Sequence, residues 1–227
     1  MDDARIAELL EPFLRDGSES RHPESTAALS PAQLQTISMY IDLILHWNVH
    51  VNLTAIRERE EIVTRHFGES IFAARQLFPQ PEVGAAAATA HVIDIGSGAG
   101  FPGLPIKIWA PYIHLTLIES NQKKATFLRE VVRSVKLANV EVFAGRAEAF
   151  HGTKGNVVTF RAVEQFESIL RLAAGLVGES GRLAILIGRA QLNRVHGLLD
   201  NFKWEEPATL PLSSNRALLI GVKESGC

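Results

Sequence analysis

The chain has 227 residues, with 23 lysines and arginines against 25 acidic side chains and a formal charge of −2. That balance excludes attachment to nucleic acid by bulk positive charge, so local patches must supply any such contact. The length suits one α/β domain with an added segment, and Cys227, the only cysteine, excludes an internal disulfide or thiolate cluster and fits a reducing cytosol.

The opening MDDARIAELLEP carries acids where a secretory signal carries bases. No apolar run approaches the length of a membrane span, so a cytoplasmic setting is expected. Three helical patterns follow. Residues 3 to 15 place Ile6, Leu9, Leu10, Phe13 and Leu14 at helical spacing, and Gly17 ends the run. Ser30 and Pro31 then open a helix whose apolar face runs through Leu34, Ile37, Ile41, Leu45 and Trp47. From about residue 60 to 78, Ile62, Val63, Phe67, Ile71, Ala74 and Leu77 share one side. Residues 79 to 90, rich in alanine, proline and glycine, read as a surface connection. This divides an N-terminal helical segment and linker, 1–90, from an α/β body, 91–227.

From His91 short apolar runs alternate with helical patterns. HVIDI, HLTLIE, VEVF, NVVTF, RLAILIG and RALLIGV are strand candidates, the first five expected to be covered on both faces. GLPIKIWAP suits a crossover helix of two turns. QKKATFLREVVRSVKL aligns Phe127, Leu128, Val131, Val132 and Val135 in one stripe. The fold class is therefore α/β, Rossmann-like, with a mostly parallel central sheet between layers of helices.

The first strand ends in Asp94 and runs into three alternating glycines, Gly96, Gly98 and Gly100. A glycine turn at the carboxyl end of a strand lets a ligand approach backbone that no side chain covers. The second strand ends in Glu119, 19 residues after Gly100, where a carboxylate can accept both hydroxyl hydrogen bonds of an adenosine ribose. Nicotinamide dinucleotides and S-adenosylmethionine both present that ribose, but a dinucleotide needs its pyrophosphate over a helix reached through G-x-G-x-x-G. Here Phe101, Pro102 and Gly103 follow Gly100, which favours the phosphate-free cofactor; the absence of G-K-S or G-K-T excludes a P-loop. Asp94 is read as facing the cofactor's amino group or as a hydrogen-bonded turn residue. Glu119 is read as a ribose ligand or a solvated strand-end acid, and Phe101 as a ligand cover or a core side chain.

HWNVHVNLTAI at 46 to 56, RHFGES at 65 to 70, DIGSGAGFPGLP at 94 to 105, LIESNQKKATFLREV, GRAEAF at 145 to 150 and FRAV at 160 to 163 together closely resemble the RsmG (GidB) family. Its members transfer a methyl group from S-adenosylmethionine to N7 of a guanosine in 16S ribosomal RNA. The resemblance covers nearly the whole chain. It implies cofactor contacts from Gly96 and Phe101, from Ala147 and Glu148 at the adenine end, and from Arg161, which is also placed beside the substrate as the catalytic residue. The expected partner is 16S RNA within the small ribosomal subunit or an assembly intermediate, met by a monomer.

The chain departs from the family pattern at Glu69, where aspartate is usual, at Asn156, at Phe160, and at Ile187, where lysine usually precedes Gly188. Those last three motivate a second reading, a noncatalytic S-adenosylmethionine-binding regulator of ribosome assembly. Attack by guanine N7 needs no prior proton removal, so the lack of a recognisable acid–base pair is expected. His66 stands outside any ligand cluster and no metal site is expected. Arg65 and Glu69, four apart, read as an ion pair or a substrate-facing pair. Lys123, Lys124, Arg129, Arg133 and Lys136 form a basic stripe, and Arg57, Arg59 and Arg65 a second group; each suits RNA phosphates or a solvated helix face.

Overall fold

The computed structural model describes residues 1–15, 28–79, 90–161 and 165–224. The connection read over residues 79 to 90, Gly17, Cys227 and the last two residues of FRAV therefore lie wholly or mostly outside the described residues. Helix α1 (Asp3–Leu14) is capped by Asp2, and α2 (Pro31–Val51) by a reciprocal capping box between Ser30 and Gln33. A short α3 (Arg59–Glu61) leads into a π-helical stretch, Ile62–Gly68, and on into α4 (Glu69–Leu77). The body follows as β1 (His91–Ile95), α5 (Gly103–Trp109), β2 (His114–Glu119), α6 (Gln122–Ser134), β3 (Val140–Ala144) and β4 (Gly155–Arg161). It continues as α7 (Phe166–Leu176), β5 (Val177–Gly188), α8 (Leu192–His196), β6 (Phe202–Trp204), β7 (Ala208–Thr209) and β8 (Arg216–Lys223). Among the described residues no helix is long and apolar enough to cross a membrane.

The sheet runs β3-β2-β1-β4-β5-β8-β6, with β7 also paired to β8. The first five strands are parallel, and β8 is antiparallel to β5. The order reverses between β1 and β4, so their carboxyl ends open the crevice where ligands of such sheets bind. All six strand candidates are strands, but β3 is not covered on both faces: its residues are intermediate or exposed, as an edge position dictates. Helices α7 and α8 and strands β6 and β7 had no counterpart in the sequence reading.

Alternation sorts each strand into two faces. Val92, Leu115, Leu117, Val157, Ala184 and Leu186 join the core that the N-terminal helices share. Ile93, Ile118, Val158, Phe160, Leu183 and Ile185 pack with α7 residues such as Leu170 on the other side. Asp94 and Thr159 are register partners on the first of these faces, and Glu119 and Arg161 follow Leu117 and Thr159 by two residues onto it.

The helical layer thus forms one wall of the crevice. Phe13 of α1 lies against Gly68, where an added Cβ would meet its ring at 2.5 Å. The π-helical stretch and α1 can approach only because residue 68 has no side chain. We expect Gly68→Ala to lose about 1 to 3 kcal/mol of stability by overpacking, read as a lowered midpoint in chemical denaturation. Gly68→Ala combined with Phe13→Leu should recover part of that loss.

Candidate active site

The glycine turn takes its shape from backbone geometry. Gly96, Gly98 and Gly100 have φ of 65°, 57° and 89°, the left-handed region that side chains disfavour. Gly96 and Ser97 donate to the Ile118 carbonyl at 2.8 and 3.1 Å, tying the turn to β2. Glu119 completes the tie: its Oε2 accepts from Gly98 N–H at 2.8 Å and its Oε1 from Asn121 N–H at 2.7 Å. It is therefore a buried, oriented carboxylate rather than a solvated strand end, with a second lone pair free on each oxygen.

Asp94 lies beneath the turn with no exposed surface. Its Oδ2 accepts from Gly103 N–H at 3.2 Å, while Oδ1 is buried without a hydrogen-bond partner among the described residues, the nearby Ser97 hydroxyl donating to the Asp94 backbone carbonyl at 3.0 Å. Burial pushes the carboxyl up to about 7, with the Gly103 bond and the Arg161 charge among the opposing influences. A half-satisfied buried carboxylate calls for a donor or a cation. At the carboxyl ends of β1 and β2 opens a cleft of about 280 Å³ whose lining includes Ile95, Gly96, Ser120, Ala147, Glu148 and Gln165. The GRAEAF segment after β3 thus reaches the same crevice as the turn. Among the described residues no group of three or more histidines, cysteines or acids could hold a metal.

A second cavity, of about 230 Å³, lies over the carboxyl ends of β4 and β5, walled by Arg65, His66, Glu69, Arg161, Leu186 and Arg216 among others. Arg161, 16% exposed at its side chain, donates from Nη1 to the Arg65 carbonyl at 3.0 Å and from Nη2 to His66 Nδ1 at 2.8 Å. An arginine can only donate, so Nδ1 is the acceptor and the imidazole proton sits on Nε2. That proton goes to Thr54 Oγ1 at 2.8 Å. Thr54 is held in turn by Asn48, whose amide bonds both its N–H, at 3.1 Å, and its carbonyl, at 2.9 Å. Burial, then the charges of Arg161 and Arg65, hold His66 down to about 3.

Glu69 draws the arginines together. Its Oε1 meets Arg65 Nε at 3.2 Å and Arg216 Nε and Nη2 at 2.8 Å each, and Arg161 Nη1 stands 4.0 Å from Oε2. The Arg65–Glu69 pair is thus one edge of a cluster of three guanidiniums around one buried carboxylate. Arg65 Nη1 also stands 4.0 Å from the exposed Glu61 Oε1, so three cations face two anions and positive charge remains in excess.

Phe101 is a core side chain. Its ring stacks against His66 at 4.7 Å and Tyr40 at 5.6 Å, meets Phe67 edge-on at 5.1 Å, and has the Arg161 guanidinium 5.3 Å above it. Tyr40 also donates to the Ala99 carbonyl. The structure therefore sorts the sequence-derived residues into three places. Gly96, Ala147 and Glu148 line the first cleft, Arg161 the second, and Asp94, Gly98, Gly100, Phe101 and Glu119 build the turn and its supports. His66, Thr54, Asn48 and Arg216 lie outside the site residues expected from the sequence; the W-N, N-L-T and R-H elements carry the signal for the first three.

Two departures from the family pattern keep their side chains out of the second cavity, Asn156 by its position along β4 and Phe160, which directly precedes Arg161, by facing the other side of the sheet. Asn156 is at the amino end of β4, where its Oδ1 accepts from His91 N–H at 2.8 Å, and Phe160 is buried edge-on to Phe166. Of the three departures that motivate a noncatalytic reading, Ile187 alone lines the second cavity, where Glu69 also stands. Arg59 is paired with Asp42 at 2.6 Å, and on α6 Arg129 donates to the Val142 carbonyl at 3.3 Å. Lys123, Arg133 and Lys136 are exposed.

The family model for GidB, rRNA small subunit methyltransferase G, matches residues 33–214. The ribosomal RNA small subunit methyltransferase G of Bacillus subtilis is 36% identical over 169 residues, 72% of this chain and 67% of that protein. Its namesake in Chloroflexus aggregans is 36% identical over 207 residues, 86% and 84% of the two chains. In fold, the chain is similar to the ribosomal protein L11 methylase of Lactobacillus delbrueckii, with a TM-score of 0.56 at 11% identity over 71% of this chain and 79% of that one.

The neutral His66 carries a pH signature. A histidine depressed from 6.5 to about 3 on folding binds its proton more readily when unfolded, so its contribution to stability is present above pH 6.5 and lost as pH falls toward 3. We expect the stability difference between the native chain and His66→Phe to shrink by about 1.4 kcal/mol per pH unit across that window. Denaturation curves at several pH values check this; a constant difference would refute the buried neutral imidazole.

Proposed function

The chain belongs to the GidB family of small-subunit ribosomal RNA methyltransferases, and we propose that it transfers a methyl group from S-adenosylmethionine to N7 of a guanosine in 16S RNA. Methyl transfer from that cofactor to ribosomal RNA is the activity of this class; the base, the atom and the residue roles are our reading. The observation that carries it is the state of His66, whose two ring nitrogens are both engaged and whose protonation burial suppresses. The cavity's histidine is thus no proton acceptor. Its unavailability suits a nucleophile whose lone pair is free at neutral pH, and guanine N7 is one.

The residues at the crevice fit the cofactor. Asp94 Oδ1, buried and without a partner, would take its ammonium group; the free lone pairs of Glu119 would take the ribose hydroxyls; Ala147 and Glu148 would border the adenine. When bound, the cofactor supplies an electrophilic methyl on a sulfonium. The chain's own part is placement. The left-handed turn keeps side chains off its path, the Phe101 stack fixes that turn against the helical layer, and Arg161 presents a fixed guanidinium to the base or an adjoining phosphate. We assign the reaction to the cytoplasm, with a monomer acting on the small subunit or an assembly intermediate.

Two measurements test this. A cationic ammonium at Asp94 requires the ionised carboxylate, which the free protein holds only above about pH 7. We expect cofactor affinity to fall as pH drops below 7, by up to about tenfold per unit, and Asp94→Asn to bind more weakly at pH 8 without that slope. Equal slopes in calorimetric titrations of the two proteins would remove Asp94 from the cofactor site. Second, incubation with labelled S-adenosylmethionine and small subunits lacking guanine N7 methylation should yield 7-methylguanosine on digestion of the 16S RNA. Label on another atom would overturn the N7 reading, and no label with cofactor binding intact would leave a noncatalytic binding protein.

A further inference from the structure

We propose that Glu69 is the residue that selects guanine, its Oε2 accepting hydrogen bonds from N1–H and the N2 amino group of a base lying in the 230 Å³ cavity. This rests on the reading that the acceptor is a guanosine, and adds how the base is told from the other three.

Glu69 is 3% exposed, lines the cavity, and begins α4 directly after the π-helical stretch. Its two oxygens are in different states. Oε1 takes the bonds of Arg65 and Arg216, whereas among the described residues Oε2 has only Arg161 at 4.0 Å, beyond hydrogen-bond range. A nearly buried carboxylate oxygen with free lone pairs is stabilised by whatever donors enter the cavity. Among the bases only guanine carries two adjacent donors and no acceptor between them on its pairing edge. Adenine and cytosine present a ring acceptor there, and uracil a single donor between two carbonyls, so each would set an acceptor against Oε2. Leu186, Ile187 and Leu210 supply apolar wall for the faces of a planar ring.

The assignment agrees with the chemistry at N7. That atom lies on the edge of guanine away from N1 and N2, so a site that modifies N7 must read the base by its pairing edge and leave the other edge free. The base must then be unpaired or turned out of its helix when it enters. The cluster also explains how an acid sits in an RNA site. Arg65, Arg161 and Arg216 surround Glu69, leaving it available for base donors while the cavity stays positive toward the backbone.

Inosine provides the test, since it lacks the N2 amino group and keeps N7 and N1–H. Small subunits are reconstituted with guanosine or inosine at the methylated position, and kcat/KM for N7 transfer is measured for the native chain and for Glu69→Gln. The native chain should prefer guanosine by about tenfold to a hundredfold, the loss of one bond to a charged acceptor. In Glu69→Gln the amide oxygen stays with the arginines and its NH₂ faces the base, so transfer to guanosine should fall and the preference shrink to within about twofold. Calorimetry should show cofactor affinity unchanged in the variant. A native chain that treats guanosine and inosine alike overturns the assignment without reference to any variant. So does a variant that is slower on both while keeping the native preference, since that is what loss of the arginine cluster alone would give. If the native chain leaves no 7-methylguanosine on guanosine subunits, the N7 reading fails first and this assignment with it.

Discussion

A guanidinium almost withdrawn from water must have its donors met, and Arg161 meets them chiefly with neutral groups. Among the described residues its close acceptors are a backbone carbonyl and an imidazole, with the nearest carboxylate oxygen 4.0 Å away. Much of the surrounding structure follows from that choice. His66 can accept only if it is neutral and carries its proton on Nε2, so Thr54 must stand where it can take that proton. Thr54 is fixed by Asn48, the last buried residue of α2, and the chain between them turns at Asn52 with φ of 42°. The π-helical stretch offers the carbonyls of Arg65 to Arg161 and of His66 to Ser70, consistent with the functional placement of such segments elsewhere.

The same layer supports the glycine turn. Tyr40 and His66 stack on Phe101 and Phe67 closes the stack edge-on, and contacts of this kind contribute about 0.5 to 1.5 kcal/mol each beyond their burial. The two halves of the crevice therefore share one foundation. A change in α2 is felt at the turn through Tyr40 and at the second cavity through Asn48 and Thr54.

The regular features were legible because they repeat. Short runs rich in valine, isoleucine and leucine marked six strands, the stripe Phe127, Leu128 and Val131 marked α6, and Ser30 with Pro31 marked the start of α2. Strand β3 looked like a buried strand because VEVF is apolar at alternate positions, yet its place at the sheet edge is decided by topology, which local pattern does not encode. Strands β6 and β7 are three and two residues long, too short to establish a period. In the site, Asp94, Glu119 and Arg161 could be placed because each ends a strand or precedes the turn. Arg216 could not: it is 147 residues from Glu69 in sequence, and only the antiparallel return of β8 beside β5 brings them together. Asn156 illustrates the converse, a departure in a recognisable motif that the fold puts at the opposite end of the strand.

That return of β8 bears on the remaining departure. The resemblance leads one to look for a lysine before Gly188, and Ile187 gives apolar wall instead. Positive charge at this edge does not depend on that position, because Arg216, which pairs with Gly188 in the register of β5 and β8, brings a guanidinium to the cavity. Its planar fork is held by two contacts to Glu69 Oε1, so the charge has a fixed direction that a lysine's flexible ammonium would not have. In a chain whose overall charge is −2, bulk charge does not draw RNA to the protein and any attraction must come from this local cluster. On the proposed reading, recognition is built from a few guanidiniums held at fixed angles around the cavity, Arg65 and Arg216 by the buried carboxylate of Glu69 and Arg161 by the Arg65 carbonyl and His66.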